Sequence, residues 1–138
     1  MKIAIGVGCR KGCASEAIVA LVGRAMARAA CEDAPVGLFT HEAKRFEPGL
    51  IEAAERLGLP LIFLDQARLG AASPDAATTS AKVMTLFALP SIAETAALAG
   101  AGVGAELLIS RISSAGASCA IARARSGEAD AVSRRRDP

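Results

Sequence analysis

A short β-branched segment that runs directly into a glycine-rich loop opens this chain, and it constrains the fold more than any other feature. Residues 3–8 are predicted to form a buried strand, and a helical pattern begins at Ser15. The loop between them carries two adjacent cations. In open α/β sheets such loops lie at the carboxyl ends of the strands, where helix N–H groups bind anions. The loop is therefore predicted to bind a negatively charged group through Gly8, Cys9, Arg10, Lys11, Gly12 and Ser15.

The glycine spacing in this loop fits neither of two common nucleotide-binding motifs. Gly6-x-Gly8-x-x-x-Gly12 is one residue longer than the dinucleotide fingerprint GxGxxG, for which Glu42 is the candidate acidic partner. The phosphate-binding pattern GxxxxGK[ST] does not occur. We therefore expect no nucleotide cofactor. The alternative interpretation of the loop is a tight strand-to-helix turn that binds nothing.

Length and composition favour one compact domain that acts on neither nucleic acid nor membranes. A chain of 138 residues is long enough for a two-layer or three-layer core. It contains no Trp or Tyr, and its net charge is only +2, so it lacks the stacking rings and basic stripe of nucleic-acid binders. No transmembrane span or signal peptide is recognised, and we expect a cytoplasmic protein.

The four cysteines do not form a metal-binding pattern. Cys9 and Cys13 are the one close pair, no CxxC occurs, and His41 is the only histidine that could complete a site. In the cytoplasm Cys13, Cys31 and Cys119 are expected to be reduced thiols. Cys9 differs because it lies beside two cations at a predicted helix N-terminus. Its thiolate is expected to be favoured, which would permit nucleophilic behaviour.

Strand-like and helical segments alternate along the chain, which predicts an α/β fold. The expected architecture is a three-layer open, mainly parallel sheet with helices on both faces. Strands at 107–109 and 119–122, joined by a turn through Ser113, Ser114 and Gly116, should form an antiparallel hairpin at one edge. One domain is expected over residues 1–125, followed by a disordered tail at 126–138. The other predicted elements are strands at 3–8, 36–39 and 61–64 and helices beginning at Ser15, Pro48, Ser80 and Ser91.

Four sequence blocks stand out: GVGCRKGxxSEAI at 6–18, KxxEPGLxxAAERLGLPL at 44–61, LPSIAETAAL at 89–98 and CAIA at 119–122. Taken together, these blocks resemble the CobE/CbiG C-terminal family of cobalamin biosynthesis. They cover nearly the whole chain up to about residue 125. Cys13 stands where the family usually has Thr, and Leu89 stands where Val is commoner. Residues 112–118 lack the usual basic, glycine-rich sequence, which argues against a ligand contact there.

This resemblance implies a role in assembling the corrin ring. Longer family members carry an additional N-terminal region and are associated with opening a ring lactone and releasing acetaldehyde, a cobalt-precorrin-5A hydrolase activity. The present chain begins at the shared domain and is similar to the standalone form of the oxygen-dependent route. The implied ligand is a precorrin or corrinoid. Such macrocycles are fringed with carboxylates, which suits an anion site built on Arg10 and Lys11.

Two functions from different classes follow. The first is a binding module that carries a carboxylate-rich intermediate without changing it. The second is a hydrolase in which Glu47 or His41 activates water while Arg10 and Lys11 stabilise the carboxylate that forms. The absence of a convincing catalytic pair favours the first. A third option is a subunit that docks onto another enzyme of the cobalamin pathway.

Three side chains after the second predicted strand are the tentative catalytic contacts. Lys44 and Glu47 belong to the family blocks and border the predicted crevice, and His41 directly follows the strand. Each also has a simpler interpretation: His41 as an exposed loop residue, and Glu47 as a cap of the helix that Pro48 opens. Glu94 is interpreted as the capping-box partner of Ser91.

Overall fold

A computed structural model describes residues 2–30, 33–72, 91–102 and 104–124, and within them a single sheet organises the chain. The strands run in the order β3-β2-β1-β5-β4. β1 and β2 are parallel, as are β2 and β3, whereas β5 runs antiparallel to both β1 and β4. The predicted mainly parallel sheet with an antiparallel edge hairpin is confirmed. The strands are β1 (Ile3–Cys9), β2 (Pro35–His41), β3 (Leu61–Leu64), β4 (Glu106–Ser114) and β5 (Ala117–Arg123).

Helices cover both faces of this sheet, as the alternating pattern predicted. The sequence pattern did not predict the short helix at Gln66–Ala72. This helix begins after Asp65, whose carboxylate accepts a hydrogen bond from Arg68 N at 2.8 Å. The predicted helix beginning at Ser80 and the tail at 126–138 lie outside the described residues. The helices are α1 (Ser15–Ala29), α2 (Pro48–Leu57), α3 (Gln66–Ala72) and α4 (Ile92–Ala101), with a 3-10 turn at Glu42–Lys44.

The two faces of the sheet are packed with side chains of different size. On the face covered by α1 and α2, large aliphatic residues such as Ile5, Leu21 and Leu50 fill the core. On the face covered by α3 and α4, alanines dominate, and Ala4 and Ala97 are fully buried. Because successive residues of a strand point to opposite faces, one strand supplies both sets. The small residues let α4 approach the sheet closely.

Two glycines make that close approach possible. A Cβ on Gly6 of β1 would overlap the carbonyl oxygen of Ala93 and lie 2.5 Å from Ala97 N, both in the backbone of α4. A Cβ on Gly100 of α4 would lie 2.6 Å from the ring of Phe39. The helix is therefore in backbone contact with the strand beneath it. This contact places the N-terminus of α4 beside the carboxyl end of β1.

The hairpin of β4 and β5 is longer than predicted, and of the three residues expected in its turn only Gly116 lies there. Ala115 and Gly116 form the turn, with φ values of 52° and 86°. Two successive positive φ angles are typical of the two-residue turns that suit twisted antiparallel strands. Ser113 and Ser114, expected in the turn, instead belong to β4 and pair with Ser118 and Ala117.

The second strand of the hairpin, β5, also brings the chain back beside β1, the first strand. β5 pairs with β1 along its whole length, from Cys9 opposite Ala117 to Ile3 opposite Arg123. Beyond the last pair, Ala124 N donates a hydrogen bond to Lys2 O at 2.8 Å. The carboxyl ends of β1 and β2 therefore lie at one end of the strands, and the Lys2–Ala124 hydrogen bond lies at the opposite end. Within the described residues, no helix combines the length and apolar character needed to cross a membrane.

We predict that Gly6→Ala destabilises the protein by about 3 kcal/mol, because the added methyl group collides with the α4 backbone and not with a movable side chain. Gly23→Ala is the matched control. Gly23 lies in α1 with no atom within 4 Å of an added Cβ, so this substitution should stabilise the helix by about 0.5–1 kcal/mol. Urea unfolding of the three proteins measures both effects. A Gly6→Ala protein as stable as the wild type would contradict the close contact.

Candidate functional site

A cavity of about 780 Å³, referred to below as the main cavity, opens at the carboxyl ends of β1 and β2. This volume lies in the range of sites that bind small molecules and cofactors. Four parts of the fold form its walls: the loop after β1, the loop after β2, the N-terminus of α4 and the β4–β5 hairpin. The lining includes residues 8–10, Thr40, His41, Ala43, Lys44, Gln66, residues 91–93, Arg111 and residues 113–118.

Three cations line the main cavity, and each comes from a different wall. Arg10 follows β1, Lys44 ends the 3-10 turn after β2, and Arg111 lies on the edge strand β4. Among the described residues, the lining contains no aspartate or glutamate. Cations in a concave surface reinforce one another's field and attract anions. The main cavity is therefore suited to a ligand with several negative groups.

The turn of the hairpin holds Arg10 in place. Arg10 N donates a hydrogen bond to Gly116 O at 2.8 Å. A Cβ on Gly116 would lie 3.6 Å from Cδ of Arg10, so the arginine stem passes directly over this glycine. Arg10 is one of the residues that line the main cavity. The loop after β1 is thus positioned by a turn more than a hundred residues further along the chain.

Small and hydroxyl-bearing residues form the rest of the wall. Gly8 lies at the floor, where an added Cβ would be 3.8 Å from Ser118 Oγ. Thr40 is fully buried, and its hydroxyl finds no hydrogen-bond partner among the described residues. Because Thr40 has no exposed surface, its hydroxyl lies beneath the lining and out of reach of a molecule in the cavity. Glycine, alanine and serine residues therefore form the accessible part of this wall.

His41 is fixed by hydrogen bonds at both ring nitrogens. Nδ1 accepts from Ala43 N at 2.9 Å, and Nε2 lies 3.2 Å from Gln66 Oε1. Since Nδ1 accepts, the proton of the neutral ring is assigned to Nε2, which donates to Gln66. A general base needs a free lone pair directed at its substrate. His41 instead caps the 3-10 turn that carries Lys44.

Glu47 lies outside the lining of the main cavity and holds two loops together. Its Oε2 accepts a hydrogen bond from Gly12 N at 2.7 Å, across 35 positions of sequence. Glu47 does occupy the N-cap position of α2, but its side chain makes no capping hydrogen bond. The expected helix cap is therefore wrong, because the carboxylate is used by the loop after β1. That bond ties the Arg10 wall to the Lys44 wall.

The N-terminus of α1 faces a different cavity from the one that holds the three cations. This second cavity, of about 440 Å³, is lined by Gly12 and Ser15 together with Glu16, Glu52 and Arg56. Ser15 is the first helical residue and not the N-cap, which is Ala14. Its hydroxyl accepts from Arg56 Nη1 at 3.3 Å. The helix terminus and Arg10, which we expected to share one anion, are thus separated by the fold.

The structure separates the nine residues that the sequence assigned to binding or catalysis. Five of the nine lie in the main cavity, two in the second cavity, and Lys11 and Glu47 in the lining of neither. Lys11 is exposed on the loop between them. No group of three or more His, Cys, Asp or Glu side chains in the described part of the chain could hold a metal ion. The five in the main cavity are Gly8, Cys9, Arg10, His41 and Lys44.

The pKa values of Cys9 and Cys119 both lie above the ordinary value of a thiol, so neither of these two cysteines is activated. Burial raises the pKa of Cys9 above its ordinary value, and this outweighs the opposite effect of the Lys44 charge nearby. The expectation of a favoured thiolate was wrong, because Cys9 ends a packed strand and does not lie at a helix N-terminus. Burial raises the pKa of Cys119 to about 12. Cys31 lies outside the described residues.

Arg111 and the N-terminus of α4 are parts of the site that the sequence did not reveal. Ser91 was interpreted only as a helix cap, which it is, since its Oγ accepts from Glu94 N at 3.3 Å. The same residue lines the main cavity. Residues 113–118 also line it, although no ligand contact was expected there. The topology could have indicated these residues. A strand that pairs antiparallel with β1 begins beside the carboxyl end of β1, so the turn that precedes it must lie there too.

Comparisons with known proteins agree on one pathway. Residues 3–122 match the family model "Cobalamin synthesis G C-terminus". The chain is similar to Protein CobE of Sinorhizobium sp, with 34% identity over 121 residues that cover 87% of this chain and 79% of that protein. The crystal structure of CobE, a protein from the cobalamin (vitamin B12) biosynthetic pathway, superimposes with a TM-score of 0.75 at 34% identity, covering 87% of this chain and 91% of that one.

A second solved structure gives the same result. The cobalamin biosynthesis protein chiG from Agrobacterium tumefaciens superimposes with a TM-score of 0.70 at 35% identity. The match covers 88% of this chain and 98% of that one. Both structures therefore share the overall fold of this chain.

We predict that Cys119 makes the protein less stable in alkali. Its folded pKa of about 12 is raised above the ordinary value of 9.0 by burial, so above pH 9 the unfolded chain loses a proton that the folded chain keeps. The free energy of unfolding should fall by about 1.4 kcal/mol per pH unit from this group, which is the linkage slope for one proton. Cys119→Ala should lack this part of the fall. Urea titrations of both proteins from pH 7 to 11 compare the slopes, and equal slopes would refute the prediction.

Proposed function

Because this chain belongs to the cobalamin synthesis G C-terminal family, we propose that it binds a carboxylate-rich precorrin or corrinoid intermediate in the main cavity. The observation that carries the proposal is the convergence of Arg10, Lys44 and Arg111 on one concave surface whose described lining holds no carboxylate. Precorrins and corrinoids carry acetate and propionate side chains around a large ring. Several carboxylates on one rigid ring can meet several fixed cations at once.

Electrostatics supports this ligand class over a neutral one. A hydrogen bond between a charged donor and a carboxylate contributes about 1.5–3 kcal/mol. Arg10 and Arg111 are exposed, so water and salt screen each contact toward the low end of that range. Three contacts to one ring still discriminate strongly against a ring whose carboxylates are replaced by amides. Affinity should fall as the salt concentration rises.

The shape of the main cavity supports a flat ligand. Gly8 leaves the floor without a side chain, and Ala117 and Gly116 add little bulk beside it. The ring of a tetrapyrrole is apolar on its faces and polar at its rim. Its face would lie over the small residues while its rim reaches the cations and the serine hydroxyl groups.

Binding without chemistry is the function that the side-chain geometry favours. Glu47 is engaged by Gly12 N, and both nitrogens of His41 have partners. Because Glu47 also lies outside the lining of the main cavity, neither side chain directs an unengaged base at a ligand bound there. The alternative is hydrolysis of a precorrin ring lactone with release of acetaldehyde, in which Lys44 would stabilise the developing negative charge. The position of Lys44 in the main cavity is the observation that keeps this alternative.

We expect the purified protein to bind cobyrinic acid, a cobalt corrin whose side chains end in free carboxylates. Arg10→Ala, Lys44→Ala and Arg111→Ala should each weaken binding about tenfold, corresponding to about 1.4 kcal/mol for one screened contact. Lys11→Ala is the matched control, since this neighbouring lysine lies outside the lining, and it should leave binding unchanged. Changes in the visible absorption of the corrin report binding.

A second ligand makes the same experiment more specific. Cobinamide has the same cobalt corrin ring with amidated side chains, so it lacks the anions that the three cations would bind. It should bind at least tenfold more weakly than cobyrinic acid. Equal binding of the two ligands, or equal effects of Lys11→Ala and Arg10→Ala, would remove the cation cluster from recognition.

Mass spectrometry separates the carrier from the hydrolase. We expect cobalt-precorrin-5A incubated with the protein to be recovered with its mass unchanged. Loss of acetaldehyde and gain of water, at a rate above the protein-free control, would contradict the carrier proposal. In that event His41→Gln and Glu47→Gln would show whether either side chain is required, and an undiminished rate in both would leave Lys44 as the residue to test.

A further inference from the structure

We infer that Glu94 is the positioning residue that holds Arg111 at the wall of the main cavity, an inference that rests on the proposed function of that cavity. Glu94 lies in the first turn of α4 and is fully buried. Its Oε2 accepts a hydrogen bond from Arg111 N at 2.9 Å. The bond joins two walls of the main cavity that come from separate elements, the helix α4 and the edge strand β4.

The hydrogen-bonding pattern of β4 shows why this bond matters. Ile109 pairs with Ile121 and Ile112 pairs with Cys119, so Ser110 and Arg111 lie opposite the single residue Ala120. Two residues opposite one constitute a β-bulge, in which the extra residue loses its partner in the ladder. The Glu94 carboxylate supplies that partner for Arg111 N. A bulge also turns the strand locally and so changes the direction in which its side chains point.

The burial of Glu94 is costly, which argues that the carboxylate has a specific task. A carboxylate loses its hydration when it is buried, and hydrogen bonds must compensate for that loss. An apolar residue at this helix position would pack among the surrounding alanines without that cost. What the carboxylate adds is a charge-assisted bond to the backbone of the bulge, roughly twice as strong as a neutral one. It therefore fixes the one described cation that the edge strand contributes to the lining.

Arg111 needs such support more than the other two cations. Arg10 is held by the bond of its backbone to Gly116, and Lys44 lies in a turn capped by His41. Arg111 is exposed on an edge strand, whose outer side has no neighbouring strand among the described residues. Without the Glu94 bond the bulge could slip along β5. The Arg111 side chain would then leave the main cavity wall.

A double-mutant cycle on cobyrinic acid binding tests this role. Glu94→Met keeps the volume but removes the acceptor, and Glu94→Gln keeps an acceptor oxygen without the charge. We expect Glu94→Met to weaken binding about tenfold in the wild-type background and less than about twofold when Arg111 is already alanine. Glu94→Gln should stay within about threefold of the wild type, because the bond survives in weaker form.

Hydrogen exchange of the Arg111 amide provides a readout that needs no ligand. The amide should be protected in the wild type and should exchange at least about tenfold faster in Glu94→Met. If Glu94→Met does not fold, Glu94→Gln decides, since a weaker neutral bond should still speed exchange of this amide several-fold without changing that of the β1 amides. An Arg111 amide equally protected in every folded variant would overturn the inference.

The binding outcomes separate this inference from the function on which it rests. Equal weakening by Glu94→Met with and without the Arg111 side chain would mean that Glu94 supports the fold in general, and the positioning role would be rejected. Failure of the wild type to bind cobyrinic acid would count against the proposed function. In that case the exchange data would still show whether Glu94 fixes the bulge.

Discussion

The backbone contact between α4 and β1 at Gly6 is the constraint on which the rest of the structure depends. Hydrogen is the only side chain that leaves room there, because a methyl group would collide with the carbonyl of Ala93. The contact brings the first turn of α4 to the carboxyl end of β1. It thereby places Ser91 in the wall of the main cavity and Glu94 within reach of β4. A larger residue at position 6 would move the helix away and leave that wall open.

Long-range hydrogen bonds hold the cationic walls of the main cavity together. Gly12 donates to Glu47, Arg10 donates to Gly116, and Arg111 donates to Glu94, in each case through a backbone N–H. Two carboxylates close to the site are thus turned toward the backbone and away from the lining. The acidic residues orient the loops, and the basic residues are left to line the main cavity. This division explains how a protein of nearly balanced charge presents a locally positive surface.

Local patterns predicted the sheet and one side of the site, whereas pairing between distant segments determined the other side. Strand and helix periodicity was sufficient for the three layers, and parallel order placed Gly8, Cys9, Arg10, His41 and Lys44 at one edge. The role of Arg111 could not be predicted, because it depends on a bulge set by the register of β4 against β5. The α1 N-terminus was assigned to the wrong cavity for a similar reason: α2 packs beside it, so that a Cβ on Gly49 would overlap the carbonyl of Cys13.

The hydrogen bond between Ala124 and Lys2 has a consequence for how this fold can be joined to others. The described part of the chain enters and leaves the sheet side by side, at the edge opposite the main cavity. A sequence joined at Lys2 or Ala124 would start at the end of the sheet away from the main cavity, and these two positions could be linked by a short peptide while new ends are opened elsewhere. The described fold can in this sense be inserted into a larger protein without any change to the lining of the main cavity.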